Sequence, residues 1–94
     1  MDAVFRALGD PTRREILRRL RRRDMSAGEL AECFPIAKST LSSHLNVLKG
    51  AGLIVYERHG TSLVYGVNES AFEAALAGVI EIFSRDGRRK GGSR

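Results

Sequence analysis

The 94-residue chain holds one cysteine, no tryptophan and two prolines, and it contains no long apolar run. Each scarcity removes a class of protein. A single cysteine cannot close an internal disulfide, which agrees with a reducing compartment. Without about 18 consecutive apolar residues there is no transmembrane helix. The N-terminus, Met1-Asp-Ala-Val-Phe-Arg6, lacks the charged-then-apolar order of a secretory signal, so a cytoplasmic protein with no membrane partner is expected. Catalytic signatures are also missing, since no nucleophile elbow, phosphate loop or metal-protease motif is present. Ser43 and His44 are neighbours, but on a helix they would point about 100 degrees apart. The expectation is therefore neither an enzyme nor a binder of any identified small-molecule substrate. A domain this small has a marginal core, and burying more surface against a partner would help it.

What is present is basic charge, unevenly placed. The net charge is +5. Arg85, Arg88, Arg89, Lys90 and Arg94 against Asp86 supply +4 of it, leaving +1 for residues 1–84. Residues 85–94, glycine-rich and without periodicity from Gly87 onward, are expected to form a basic disordered tail after one folded domain over 1–84. Inside the domain, Arg13, Arg14, Arg18, Arg19, Arg21, Arg22 and Arg23 face a single acid, Glu15, within their own segment. Local fields of this kind bind phosphate, although a solvated helix face would look the same. Arg13 and Arg14, near a helix start, are the stronger candidates for DNA-backbone contact.

The most informative stretch is 37–52. Leu41, Leu45 and Leu48 recur at helical spacing and can anchor a helix, while Lys38, Ser39, Ser42, Ser43 and Asn46 put short or basic hydrogen-bonding groups elsewhere on it. Such groups fit between base edges in a DNA major groove. An ordinary amphipathic surface helix is the alternative, and the flanking segments bear on that choice. Gly52 is placed to end the helix in a left-handed cap. Leu53 to Val67 then reads as two β-rich runs around Gly60, with Arg58, His59 and Thr61 at a polar tip able to touch backbone or minor groove, or else forming a plain turn. Upstream, Ser26 to Glu29 is a capping box, with Met25 and Leu30 as its hydrophobic staple, opening a short helix through Cys33, and Pro35 breaks the chain before the next helix. Asp10 caps an earlier helix with Pro11 at its first position and Ile16, Leu17 and Leu20 inward. Asp2 to Leu8 forms a short first helix. Helix, short turn, helix, hairpin is the winged helix-turn-helix order, so the predicted fold is mainly α with a β-hairpin wing, about five helices and two strands.

The last helix, capped by Asn68, carries Phe72, Leu76, Val79 and Phe83 flanked by Ala75, Ile80 and Ile82. That stripe is wider than one small core needs. Closing the monomer core is one use for it, and the two-fold copy of the same helix is the simplest partner.

Three strings, Leu8-Gly-Asp-Pro-Thr-Arg-Arg-Glu-Ile-Leu17, Ser26-Ala-Gly-Glu-Leu-Ala31 and the run from Ser39 to Ile54, resemble the ArsR/SmtB family of bacterial repressors in order and spacing. The short length and Arg23-Asp-Met-Ser-Ala-Gly-Glu29 look most like the SdpR-type autorepressors within it. The resemblance spans residues 3 to about 83. It implies a homodimeric winged-helix repressor that binds an inverted-repeat operator in double-stranded DNA. The family's DNA-reading positions fall on Lys38, Ser39, Ser42 and Ser43, with Thr40 and His44 beside them. Its dimer, made by the first and last helices, would draw here on Val4, Phe5, Leu8, Phe72, Leu76, Val79, Ile80 and Phe83.

This chain departs from many relatives in three places. Ala37 stands where a capping serine is common, which weakens that helix start by about 1 kcal/mol. Ser43-His44 replaces paired histidines, so no relative's operator carries over. In Glu29-Leu-Ala-Glu-Cys33 only the second position of a common cysteine pair is cysteine, and the last helix has neither histidine nor cysteine. A closed zinc site generally takes four ligands, so neither metal nor other cofactor is expected. Cys33 reads as a small, partly buried apolar residue, with a metal- or redox-responsive role as the alternative. The rival from another class is a winged helix used only for protein binding.

Overall fold

The protein is described by a computed structural model covering residues 2–84; the basic segment 85–94 lies outside the described residues. The order is α1 (Asp2–Leu8), α2 (Pro11–Arg22), β1 (Met25–Ser26), α3 (Ala27–Cys33), α4 (Lys38–Gly50), β2 (Ile54–His59), β3 (Ser62–Val67) and α5 (Glu69–Phe83).

Local chemistry sets most of these boundaries. The Asp10 carboxylate accepts from the Arg13 N–H at 3.1 Å, and Pro11 stands in the first turn of α2, where a missing N–H costs nothing. Ser26 Oγ accepts from the Glu29 N–H at 3.0 Å while Glu29 Oε1 accepts from the Ser26 N–H at 2.9 Å, completing the reciprocal box that starts α3. Asn68 Oδ1 accepts from the Ala71 N–H at 3.2 Å and starts α5. The end of α4 turns at Gly52, whose φ of 77° is costly for any residue with a Cβ. There the Gly52 and Leu53 N–H groups reach back to the Lys49 and Leu48 carbonyls. Gly60, φ 65°, opens the two-residue turn between β2 and β3.

The sheet corrects the expectation of two strands. It has three, in the order β1-β3-β2 and antiparallel throughout, with Met25 opposite Tyr65 and Ile54 opposite Val67. The extra strand is only two residues long. Too short to show alternation, it becomes a strand because β3 arrives beside it.

The core gathers Ile16, Leu17 and Leu20 from α2, Leu30 from α3 and Leu41, Leu45 and Leu48 from α4. Leu53, Ile54 and Tyr65 close it from the hairpin. Among the described residues no charged or polar side chain is buried there, and no helix is long and apolar enough to cross a membrane. α5 adds only Ala75 to the buried set. Leu76, Ile80, Ile82 and Phe83 stay 54%, 59%, 58% and 79% exposed, and Phe5 of α1 43%.

Candidate nucleic-acid interface

α4 places its side chains as its periodicity requires. With Leu41, Leu45 and Leu48 driven into the core, Lys38, Ser39, Thr40, Ser42, Ser43 and Asn46 are all exposed. Ala37 offers no side-chain acceptor to the first turn, so the helix starts uncapped at the end where these groups begin. His44 goes the other way. Its ring is 15% exposed, with Nε2 3.9 Å from Oδ2 of Asp10 and Nδ1 3.2 Å from Nη1 of Arg13. The backbone N–H of Arg13, with the neighbouring charge of its guanidinium adding to it, holds the Asp10 carboxyl below the usual carboxylate range.

The arginines of α2 are more occupied than a count along their own segment suggests. Arg13 donates from Nε to the Ala7 carbonyl at 2.8 Å and from Nη2 to the Arg6 carbonyl at 2.9 Å. Arg14 donates to the Leu8 carbonyl at 2.7 Å. Both side chains thus bond the last carbonyls of α1, that of Arg6 also accepting from the Gly9 N–H at 3.1 Å. Glu15 is shared by Arg18 at 2.9 Å and Arg19 at 3.3 Å, and hydrogen bonding to Arg18 lowers its carboxyl from the ordinary value. Arg21 lies 4.0 Å from Glu69 and over the Phe72 ring at 4.6 Å, and Arg23 reaches Glu29 at 3.4 Å. Those last two acids come from α5 and α3, so the segment's field is weaker than the composition of 13–23 implies.

The wing tip is solvent-exposed at Arg58, His59 and Thr61. Alternation along β2 sends Arg58 and His59 to opposite faces, and His59 Nε2 lies 3.1 Å from Oε1 of Glu57 on its own face. Sequence reasoning had no signal for the contact of Lys49, at the end of α4, with the Tyr56 ring of β2 at 4.5 Å.

The second surface lies on α1 and α5. Phe5, Leu76, Ile80 and Phe83 are exposed, and Val4, Leu8, Phe72 and Val79 are half-buried. Beside them a groove of about 440 Å³ has Leu8, Leu17 and Phe72 in its lining and Arg14, Arg18, Arg21 and Arg22 around them. Cys33 is half-buried next to Arg19, Arg22, Arg23 and Met25. Among the described residues no group of three or more His, Cys, Asp or Glu side chains is placed to hold a metal ion.

This geometry has counterparts. A family profile described as a helix-turn-helix domain matches residues 8–57. The transcriptional repressor SdpR of Bacillus subtilis is 39% identical over 85 residues, 90% of this chain and 94% of that protein. The HTH-type transcriptional regulator Rv2034 of Mycobacterium tuberculosis is 34% identical over 84 residues, 89% of this chain and 78% of its own. Among solved structures, an ArsR-like transcriptional regulator from Rhodococcus sp. RHA1 superposes with a TM-score of 0.83 at 33% identity, covering 94% of this chain and 81% of that one.

Proposed function

The chain belongs to the ArsR/SmtB family of winged helix-turn-helix regulators, and from that premise we propose that this DNA-binding transcriptional regulator is a homodimeric repressor of an inverted-repeat operator. The observation that carries the proposal is α4, whose leucines are buried and whose open side holds only short polar or basic groups. In the major groove Lys38 reaches a guanine edge or a phosphate, and the hydroxyls of Ser39, Thr40, Ser42 and Ser43 with the amide of Asn46 read base edges. His44 stands behind this row. Arg58, His59 and Thr61 of the wing meet the adjacent backbone or minor groove, and Arg13 and Arg14 have donors left for phosphate beyond those spent on α1. Two copies join through Val4, Phe5 and Leu8 of α1 and Phe72, Leu76, Val79, Ile80 and Phe83 of α5, bringing two reading helices to one operator. Residues 1–84 are the folded unit, and the basic residues of 85–94 add sequence-independent attraction. The protein works in the cytoplasm, and repression of its own promoter is the first case to examine.

A protein-only winged helix would offer aromatic or aliphatic anchors on the open side of α4; this one has none. The test is a titration of the chain's own promoter and of scrambled duplex at several salt concentrations, with sedimentation in parallel. Dimers that prefer the promoter and weaken as salt rises support the proposal. Absence of DNA binding at low salt would reject it in favour of a protein-binding module.

A further inference from the structure

The guanidinium of Arg13 contacts two helices at once. Nε and Nη2 donate to the Ala7 and Arg6 carbonyls at the end of α1, at 2.8 and 2.9 Å, while Nη1 lies 3.2 Å from Nδ1 of His44 in α4. A guanidinium only donates, so Nδ1 must be the bare nitrogen and the neutral ring carries its proton on Nε2. That nitrogen faces Oδ2 of Asp10 at 3.9 Å, and Asp10 accepts in turn from the Arg13 N–H at 3.1 Å. The cluster ties the turn before α2, the end of α1 and the middle of α4 into one unit, on the side of α4 away from Ser39, Ser42, Ser43 and Asn46.

We propose that Arg13 and His44 are positioning residues that latch the reading helix to the end of α1, so that the helix carrying part of the dimer face also sets the angle of α4. The proposal rests on the reading of α4 as the DNA-contacting helix. In a dimer the two reading helices must enter grooves about 34 Å apart, so small rotations of α4 within each copy misplace both. A planar fork can hold three acceptors in fixed directions; a lysine, as a point charge, cannot. The charged groups facing the imidazole are Asp10, from the turn before α2, and Arg13, from α2 itself, while α1 presents the Arg6 and Ala7 carbonyls to the same guanidinium. Protonating His44 places an N–H against the Arg13 donor and breaks that contact, while Asp10 keeps its hold on Nε2, so it is the tie to α1 through Arg13 that opens. Acid therefore acts with a sign opposite to that of a phosphate contact, since a histidine gripping phosphate binds DNA more tightly once charged.

The chain has two histidines, so a His59→Gln background isolates the relevant one. In that background, promoter affinity is measured from about pH 8 to about pH 5.5. His44→Asn, His44→Ala and Arg13→Lys are compared with their parent, and circular dichroism and sedimentation check the folding and dimerisation of each. Asparagine keeps an acceptor near the place of Nδ1 and takes up no proton, so it should preserve affinity at about pH 8 and remove the acid response. His44→Ala and Arg13→Lys should remain folded dimers and bind about tenfold more weakly. The parent should lose affinity on acidification where His44→Asn does not. Affinity that rises with acid in the parent alone makes His44 a phosphate contact and overturns the latch, as does undiminished binding by Arg13→Lys. Should Arg13→Lys fail to fold, the two His44 variants decide: rescue by asparagine over alanine supports the latch, and equal affinities overturn it. Ser39→Ala and Ser42→Ala run alongside. If they lose discrimination while Arg13 and His44 variants change nothing, the latch alone fails; if they lose none, the reading of α4 fails.

Discussion

α4 and α5 each leave one side open in the single chain, but they do so with opposite chemistry. α4 hides three leucines and exposes a lysine, hydroxyls and an amide. α5 hides little beyond Ala75 and exposes Leu76, Ile80, Ile82 and Phe83. Water satisfies the first face at no cost, whereas the second gives up roughly 25 cal/mol for each Å² of apolar surface left wet. An open polar face is therefore at rest until a ligand with matching donors and acceptors arrives, while an open apolar face calls for a permanent cover. In the proposed function the two surfaces take two different partners, a nucleic acid and a second copy, and the difference can be attacked from either side.

The largest effect is expected on the apolar side. Leu76→Glu with Val79→Glu should yield monomers by sedimentation and lower promoter affinity by more than about a hundredfold, since each monomer keeps only one reading helix. A wild type that sediments as a monomer while binding DNA with full affinity would remove the contrast between the faces.

On the polar side the changes are smaller and of another kind. Ser39→Ala or Ser42→Ala should cost on the order of 1 kcal/mol each against the operator and little against random duplex, read by paired titrations. Removing residues 87–94 should weaken both duplexes by a similar few-fold and flatten the salt dependence, the outcome expected of cations such as Arg88, Arg89, Lys90 and Arg94 if they contribute through counterion release. Loss of sequence preference in the truncated chain, with none in the serine variants, would reverse these assignments.

The smallest change sharpens the polar face without altering what it presents. Ala37→Ser supplies the missing acceptor at the start of α4 and should raise stability by about 1 kcal/mol, seen as a thermal midpoint higher by about 4–8 °C. An unchanged midpoint would mean that the first-turn N–H groups lose nothing in water.

The candidate site was legible wherever its determinants lie within a turn or two of chain. The direction of Ser39, Ser42, Ser43 and Asn46 follows from where Leu41, Leu45 and Leu48 stand, since one helical period settles both faces. The same reasoning put His44 beside the candidate DNA-contacting residues, and periodicity alone had no means of showing that its ring turns back to Arg13, 31 positions earlier. Arg13 and Arg14 stood out by charge, yet their first engagement is with the last carbonyls of α1. Glu69 and Glu29 moderate the arginine segment from helices that a count along α2 does not reach.

By itself the sequence determined the helices and their ends: the acceptors of Asp10, Ser26 and Asn68 lie three residues from the N–H groups they cap, and Gly52 and Gly60 take the left-handed backbone that few other residues accept. It also determined the two open faces, because period and polarity are properties of one segment. Tertiary structure alone decided the third strand, which exists only because β3 comes to lie beside Met25 and Ser26. It likewise decided the joining of α1 to α4 through Arg13 and His44 and the pairing of Arg21 with Glu69. Those contacts join residues far apart in the chain, and their geometry comes into being only when the core brings the elements together.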